Sequence, residues 1–83
     1  MDFQTQLHEE AVQLLRSKGV LLRSTSISND VKVTFGRYEL WIYEDGANVL
    51  GPSIDKRFEI YDFDNLDHLK QSVLALLEKL LIP

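Results

Sequence analysis

Val31-Lys32-Val33-Thr34-Phe35, then Gly36-Arg37, then Tyr38-Glu39-Leu40-Trp41-Ile42-Tyr43 is the stretch that decides the fold. Two runs rich in β-branched and aromatic residues stand two residues apart, and glycine at the first of those two positions suits a type II′ hairpin turn. Such a turn sets Phe35 opposite Tyr38, Val33 opposite Leu40 and Val31 opposite Ile42. All six are apolar or aromatic, so they define a core face, while Thr34 with Glu39 and Lys32 with Trp41 fall on the other side.

Working outward, Asp45-Gly46 marks the next turn and leads into a short strand near Ala47 to Leu50. Gly51-Pro52-Ser53 interrupts it, and Lys56 to Asp62 reads as a last strand with Phe58 and Ile60 inward. On the other flank, Val20 to Ile27 reads as the first strand. Its Arg23-Ser24-Thr25-Ser26 centre is polar on both faces, which suits a sheet edge, and its register across Ser28-Asn29-Asp30 is open.

A helix brackets the sheet at each end. Phe3, Leu7, Ala11 and Leu14 recur at helical spacing and predict a helix from about Asp2 to Lys18, stopped by Gly19. Asp64 is the expected N-cap of the second helix, whose buried stripe is Leu66, Leu69, Val73, Leu76, Leu77 and Leu80, with Pro83 beyond it. The expected fold class is therefore α+β: an N-terminal helix, an antiparallel β-meander of about four to five strands and a C-terminal helix. Both helices are expected on one sheet face; if one covered each face, Trp41 would become core.

The chain has 83 residues, 45% of them apolar and 27% charged, enough for one domain spanning 1–83 and one core. A chain of this length buries only roughly 60–70% of the surface its unfolded form exposes. There is no cysteine, which removes disulfides, thiolate catalysis and cysteine-based zinc sites together. Met1-Asp2-Phe3-Gln4 lacks the basic and apolar segments of a secretory signal, and charged residues break the run from Leu66 to Ile82. The expectation is a cytoplasmic protein that does not enter a membrane. A net charge of −4 argues against nucleic acid as a partner and favours a basic protein surface.

Up-and-down connectivity collects Asp30, Glu44, Asp45, Asp62 and Asp64 at one end of the sheet, with Asp2 at the start of the first helix. Arg16, Lys18, Arg37, Lys56 and Arg57 go to the other end. Helix dipoles and turn preferences explain much of this layout on structural grounds alone. Its functional reading is an acidic end that docks on a basic partner.

The second candidate surface is aromatic. Trp41 and Tyr43 lie opposite the core face, Tyr61 joins them from the last strand, and Arg57 and Glu59 stand between, with Arg57 or Lys32 available to stack on Trp41. Candidate partner-binding residues are thus Trp41, Tyr43, Glu44, Asp45, Glu59, Tyr61, Asp62 and Asp64. His8 and His68, one per helix, lack further partners for catalysis or zinc, and Glu9-Glu10 and Asp62/Asp64 fit solvated-helix and capping roles. No EF-hand spacing, nucleophile motif or phosphate loop is present, so neither a cofactor nor an enzyme is expected. Leu74, Leu81 and Ile82 lie beside or beyond the leucine stripe as an apolar edge suited to a homodimer contact.

From Tyr38 to Gly46, then Arg57-Phe58-Glu59, Asp62-Phe63-Asp64 and the helix that follows, the chain resembles small bacterial immunity-type proteins. These pair a short meander with a helix and act by capping a toxin. The resemblance covers about half the chain and implies an inhibitory binding role for Trp41, Tyr43, Glu44, Asp45 and Tyr61, without catalytic residues; phage-encoded inhibitors share the same size and acidity. The alternative expectation is a homo-oligomeric structural or assembly subunit.

Overall fold

The computed structural model describes residues 2–82; Pro83, read as the stop beyond the second helix, lies outside them. The elements are α1 (Phe3–Ser17), β1 (Leu22–Ile27), β2 (Asp30–Phe35), β3 (Tyr38–Ile42), β4 (Gly46–Gly51), β5 (Ile54–Glu59), a 3₁₀ turn (Ile60–Asp62) and α2 (Leu66–Leu81). The strands form one antiparallel sheet in the order β1-β2-β3-β4-β5, so each pairs with its neighbour in sequence. This is the expected α+β meander with a helix at each end, and both helices pack on one face.

The β2–β3 register is the one the Gly36-Arg37 turn requires: Phe35 faces Tyr38, Val33 faces Leu40 and Val31 faces Ile42. Gly36 has φ +58°, the left-handed value that the first central residue of a type II′ turn needs. The β1–β2 turn is Ser28-Asn29, because Ile27 pairs with Asp30. Asp30 therefore opens β2 rather than sitting in the turn, and Ser28 takes φ +59°.

The β3–β4 turn centres on Glu44-Asp45, one residue earlier than expected, closed by the Tyr43 N–H donating to the Gly46 carbonyl at 2.9 Å. Gly46 itself belongs to β4, opposite Glu59. A Cβ there would lie 2.7 Å from the Phe58 carbonyl oxygen, so glycine serves close backbone approach at this point. The last strand starts earlier and stops sooner than the sequence suggests: β5 ends at Glu59 and the chain coils into the 3₁₀ turn, leaving Ile60 half-buried.

The core lies between sheet and helices. Val33, Phe35, Leu40, Ile42, Ala47, Val49 and Phe58 from the sheet meet Phe3, Leu7, Ala11 and Leu15 of α1 and Leu69, Val73 and Leu77 of α2. Leu15 rather than Leu14 completes the buried row of α1, because successive steps of four rotate slowly round the helix and keep both near the sheet. Leu66, Leu76 and Leu80 are half-buried, and Leu74 and Leu81 pack against the core, so of the apolar edge expected at the C-terminal helix only Ile82 is well exposed, at 70%.

Caps set the helix ends. The Asp2 carboxylate accepts from the Thr5 N–H at 2.7 Å, and those hydrogen bonds hold its pKa below the ordinary aspartate value. At the other end the Gly19 N–H donates to Arg16 and the Val20 N–H to Leu15, a Schellman arrangement with Gly19 at φ +73°. The N-cap of α2 is Asn65, not Asp64: its side-chain oxygen accepts from the His68 N–H at 2.8 Å. The Gln4 amide donates to the carbonyls of Asn29 and Ile42 at 2.8 and 2.9 Å, tying the start of α1 to two strand ends. Both helices begin at the same end of the sheet and run side by side in the same direction.

Between them lies Lys70, with 7% of its surface exposed. Its Nζ contacts Glu10 at 2.6 Å, Asp67 at 3.4 Å and Gln6 Oε1 at 3.4 Å. Glu10 is thus an ion-pair partner, beyond the solvated-helix role expected of it. The hydrogen bond to Glu10 raises the Lys70 pKa above 10.5, against desolvation, with Asp67 adding to the rise. A raised folded-state pKa stabilises the fold fully below the unfolded value, and the contribution is lost as pH climbs through the folded value. Because Glu10 and Asp67 keep access to water, Lys70→Met is expected to change stability at neutral pH by no more than about 1 kcal/mol. The same variant should show a flatter loss of stability than wild type in urea melts between about pH 9 and 12.

Candidate functional site

The strand alternation that buries Val33, Leu40 and Val49 turns a second set of side chains the other way, onto a sheet face that carries neither helix. The central row across this face runs Thr25, Lys32, Trp41, Asn48, Arg57, each opposite the next in the strand register. The next row toward the basic end is Arg23, Thr34, Glu39, Leu50, Asp55. Toward the acidic end lie Ile27, Asp30, Gly46 and Glu59, with Tyr43 just past the end of β3.

Trp41 occupies the middle of the face and is half-buried. Its indole N–H donates to Glu39 Oε1 at 3.0 Å, and the Lys32 ammonium stands 5.5 Å from its ring centroid. Lys32 is therefore the cation over Trp41. Arg57, the other expected stacking partner, is one strand farther away across Asn48 and pairs with Glu59 at 3.6 Å. Two polar groups thus hold the indole in the middle of a sheet face that carries neither helix.

Toward the acidic end, Tyr43, Asp45, Gly46, Arg57, Glu59 and Tyr61 line a shallow depression of about 260 Å³. Tyr61 reaches it from the 3₁₀ turn rather than from a strand, and is 91% exposed. Glu44 is exposed at the tip of the β3–β4 turn, beside Asp45. Asp62 and Asp64 are exposed but do not line the depression. Asp64 faces His68 at 3.6 Å, and Phe63, between Asp62 and Asp64 in the chain, stacks on Phe58 from the core side, with ring centroids 6.2 Å apart. The eight candidate residues therefore divide: Trp41, Tyr43, Glu44, Asp45, Glu59 and Tyr61 lie on the open face or its acidic rim, Asp62 ends the 3₁₀ turn away from the depression, and Asp64 faces His68 of α2.

Of the histidines, His8 Nε2 lies 2.8 Å from Ser24 Oγ and His68 stands edge-on to Phe63. Among the described residues no three histidine or carboxylate side chains converge on a point that could hold a metal ion, and no helix is long and apolar enough to cross a membrane.

Asn48 is the residue here that the sequence pattern does not single out. Its Oδ1 is buried, on the strand position opposite Trp41, and has no hydrogen-bond partner among the described residues. An unsatisfied buried acceptor costs about 1–3 kcal/mol, and asparagine is a poor strand residue. Asn48→Thr is therefore expected to raise stability by about 1 kcal/mol, read as a higher urea midpoint with unchanged denaturant dependence. An unchanged or lowered midpoint would mean that the Asn48 amide is satisfied in solution.

No known family model, curated protein or solved structure matches this chain. What the site can do must be read from its own geometry.

Proposed function

We propose that this protein is a non-enzymatic binding module that masks or inhibits a partner protein, engaging it with the open sheet face and its acidic rim. The observation that carries this reading is Trp41: a half-buried indole, held by Lys32 and Glu39, at the centre of a sheet face that no helix covers. Core packing does not require an aromatic there, and rigid aromatics ringed by polar groups carry most of the energy in protein interfaces. Glu44, Asp45 and Glu59 along one border suit a partner with a basic surface. Tyr43 and Tyr61 extend the aromatic character to that border. The resemblance to immunity-type proteins favours an inhibitory outcome and a bacterial or phage setting, with the cytoplasm as the site of action.

The test is capture of the partner from a native-host lysate, followed by titration at several salt concentrations. With Glu44 and Asp45 both changed to Lys, affinity at low salt is expected to fall about tenfold or more, and the salt dependence of binding should flatten. Both residues are exposed turn residues, so the fold should survive the change. Equal affinity and an equal salt slope for the two proteins would remove the acidic rim from the interface.

A further inference from the structure

The two edges of the sheet are built differently. β5 carries Asp55, Lys56, Arg57 and Glu59, all exposed, the charged protection that keeps sheet edges from pairing with other chains. β1 carries one charge, Arg23, and its residues Arg23 to Ile27 are all exposed. The Ser28-Asn29 turn is closed by the pair Ile27 and Asp30. In a two-residue hairpin that closing pair is hydrogen-bonded, so Thr25 and Arg23 also bond inward to β2, and Leu22, Ser24 and Ser26 present their N–H and C=O groups outward.

We propose that this edge pairs antiparallel with β1 of a second copy of the chain, about a two-fold axis at Ser24, joining two sheets into one of ten strands. The pairing partner is fixed by three properties of the edge. First, a two-fold at Ser24 sets Leu22 opposite Ser26 of the other copy and continues the outward hydrogen bonds of Leu22, Ser24 and Ser26. Second, the same register sets Leu21 opposite Ile27 of the other copy, once on each side of the axis. Among the described residues these are two of the four large hydrophobic side chains left exposed, at 91% and 39%. A register shifted by one pairing step would put Leu21 against Asn29 or Thr25 instead. Third, Arg16 and Lys18 stand where β1 begins and Asp2 and Asp30 where it ends, so antiparallel docking lays the basic end of each copy beside the acidic end of the other. The open face with Trp41 stays free and is doubled in extent.

The experiment measures molar mass by sedimentation over a wide concentration range at low and high salt. A monomer–dimer equilibrium that weakens with salt is expected. Ser26→Pro removes an outward N–H without touching the β1–β2 ladder and should shift the protein to monomer. Should that variant lose its circular dichroism signal, Leu21→Lys, at a position 91% exposed, carries the same expectation. The register has its own readout because the chain has no cysteine. Leu21 and Ile27 form a non-hydrogen-bonded pair, whose close Cα separation suits a disulfide. A mixture of Leu21→Cys and Ile27→Cys proteins should therefore cross-link on mild oxidation much faster than either alone. A monomeric mass at every concentration would overturn the proposal, including the case in which the edge serves an extended segment of another protein. So would a dimer indifferent to Ser26→Pro and Leu21→Lys, or one whose cysteine mixture cross-links no faster than its components.

Discussion

Leu40→Ala is expected to cost about 3–5 kcal/mol of stability, read as a fall in the urea midpoint and a melting temperature lower by about 15 °C or more. Leu40 sits in the middle strand with no exposed surface, between Val33 and Val49, under the helical layer. Strands on both sides hold the backbone, so the site cannot collapse to fill the space left by the lost atoms. Domains of this size have only about 5–15 kcal/mol in total, so the variant should be partly unfolded near body temperature. A loss below about 1.5 kcal/mol would mean that the core closes round the alanine despite the strands that flank Leu40 on both sides.

The neighbouring residue should behave in the opposite way. Trp41→Ala removes a half-buried side chain from the open face, with its hydrogen bond to Glu39 and its contact with Lys32. Stability should fall by only about 1–2 kcal/mol, because the position borders solvent and no helix packs on it. Affinity for the captured partner should fall by about 30-fold or more, the loss associated with a central aromatic anchor. Titrating wild type and variant against the same partner, alongside a urea melt of each, separates the two effects. Unchanged affinity with lowered stability would reduce Trp41 to a cross-strand packing residue. The pair Leu40 and Trp41 thus tests in adjacent residues whether the two faces of one strand divide stability from recognition.

The division into a core face and an open face was legible in the sequence because a strand has a period of two and a two-residue turn allows one register. Once Gly36-Arg37 is read as the turn, Val31 to Ile42 sort themselves, and the acidic end follows from connectivity alone. What stayed hidden depends on distances between segments remote in the chain. Lys70 interrupts a leucine-rich run and reads as a solvent-facing break; only the parallel approach of the two helices supplies Glu10 and Gln6 to receive it. Gln4 likewise has nothing in its surroundings in sequence to announce that its amide joins two strand ends. The misplaced cap of α2 has a local cause: Asp64 and Asn65 are both good N-caps, and it is the Asn65 side chain that accepts from the His68 N–H. Asn48 passes unnoticed because an orphaned acceptor is a property of its neighbours.

The side-by-side, same-direction helices also decide how the protein can be handled. Asp2, at the start of α1, and Ile82, just past the end of α2, lie at opposite ends of the sheet, so a tag attached at Asp2 is held from the end where Gln4 meets Asn29 and Ile42, and one attached at Ile82 from the other end. An immobilised protein held from its front would offer its partner a crowded rim; held from its back, it would present the tryptophan face and the acidic rim unobstructed. The attachment point is thus an experimental variable in its own right, and swapping it while leaving every side chain in place asks which end of the molecule meets its partner.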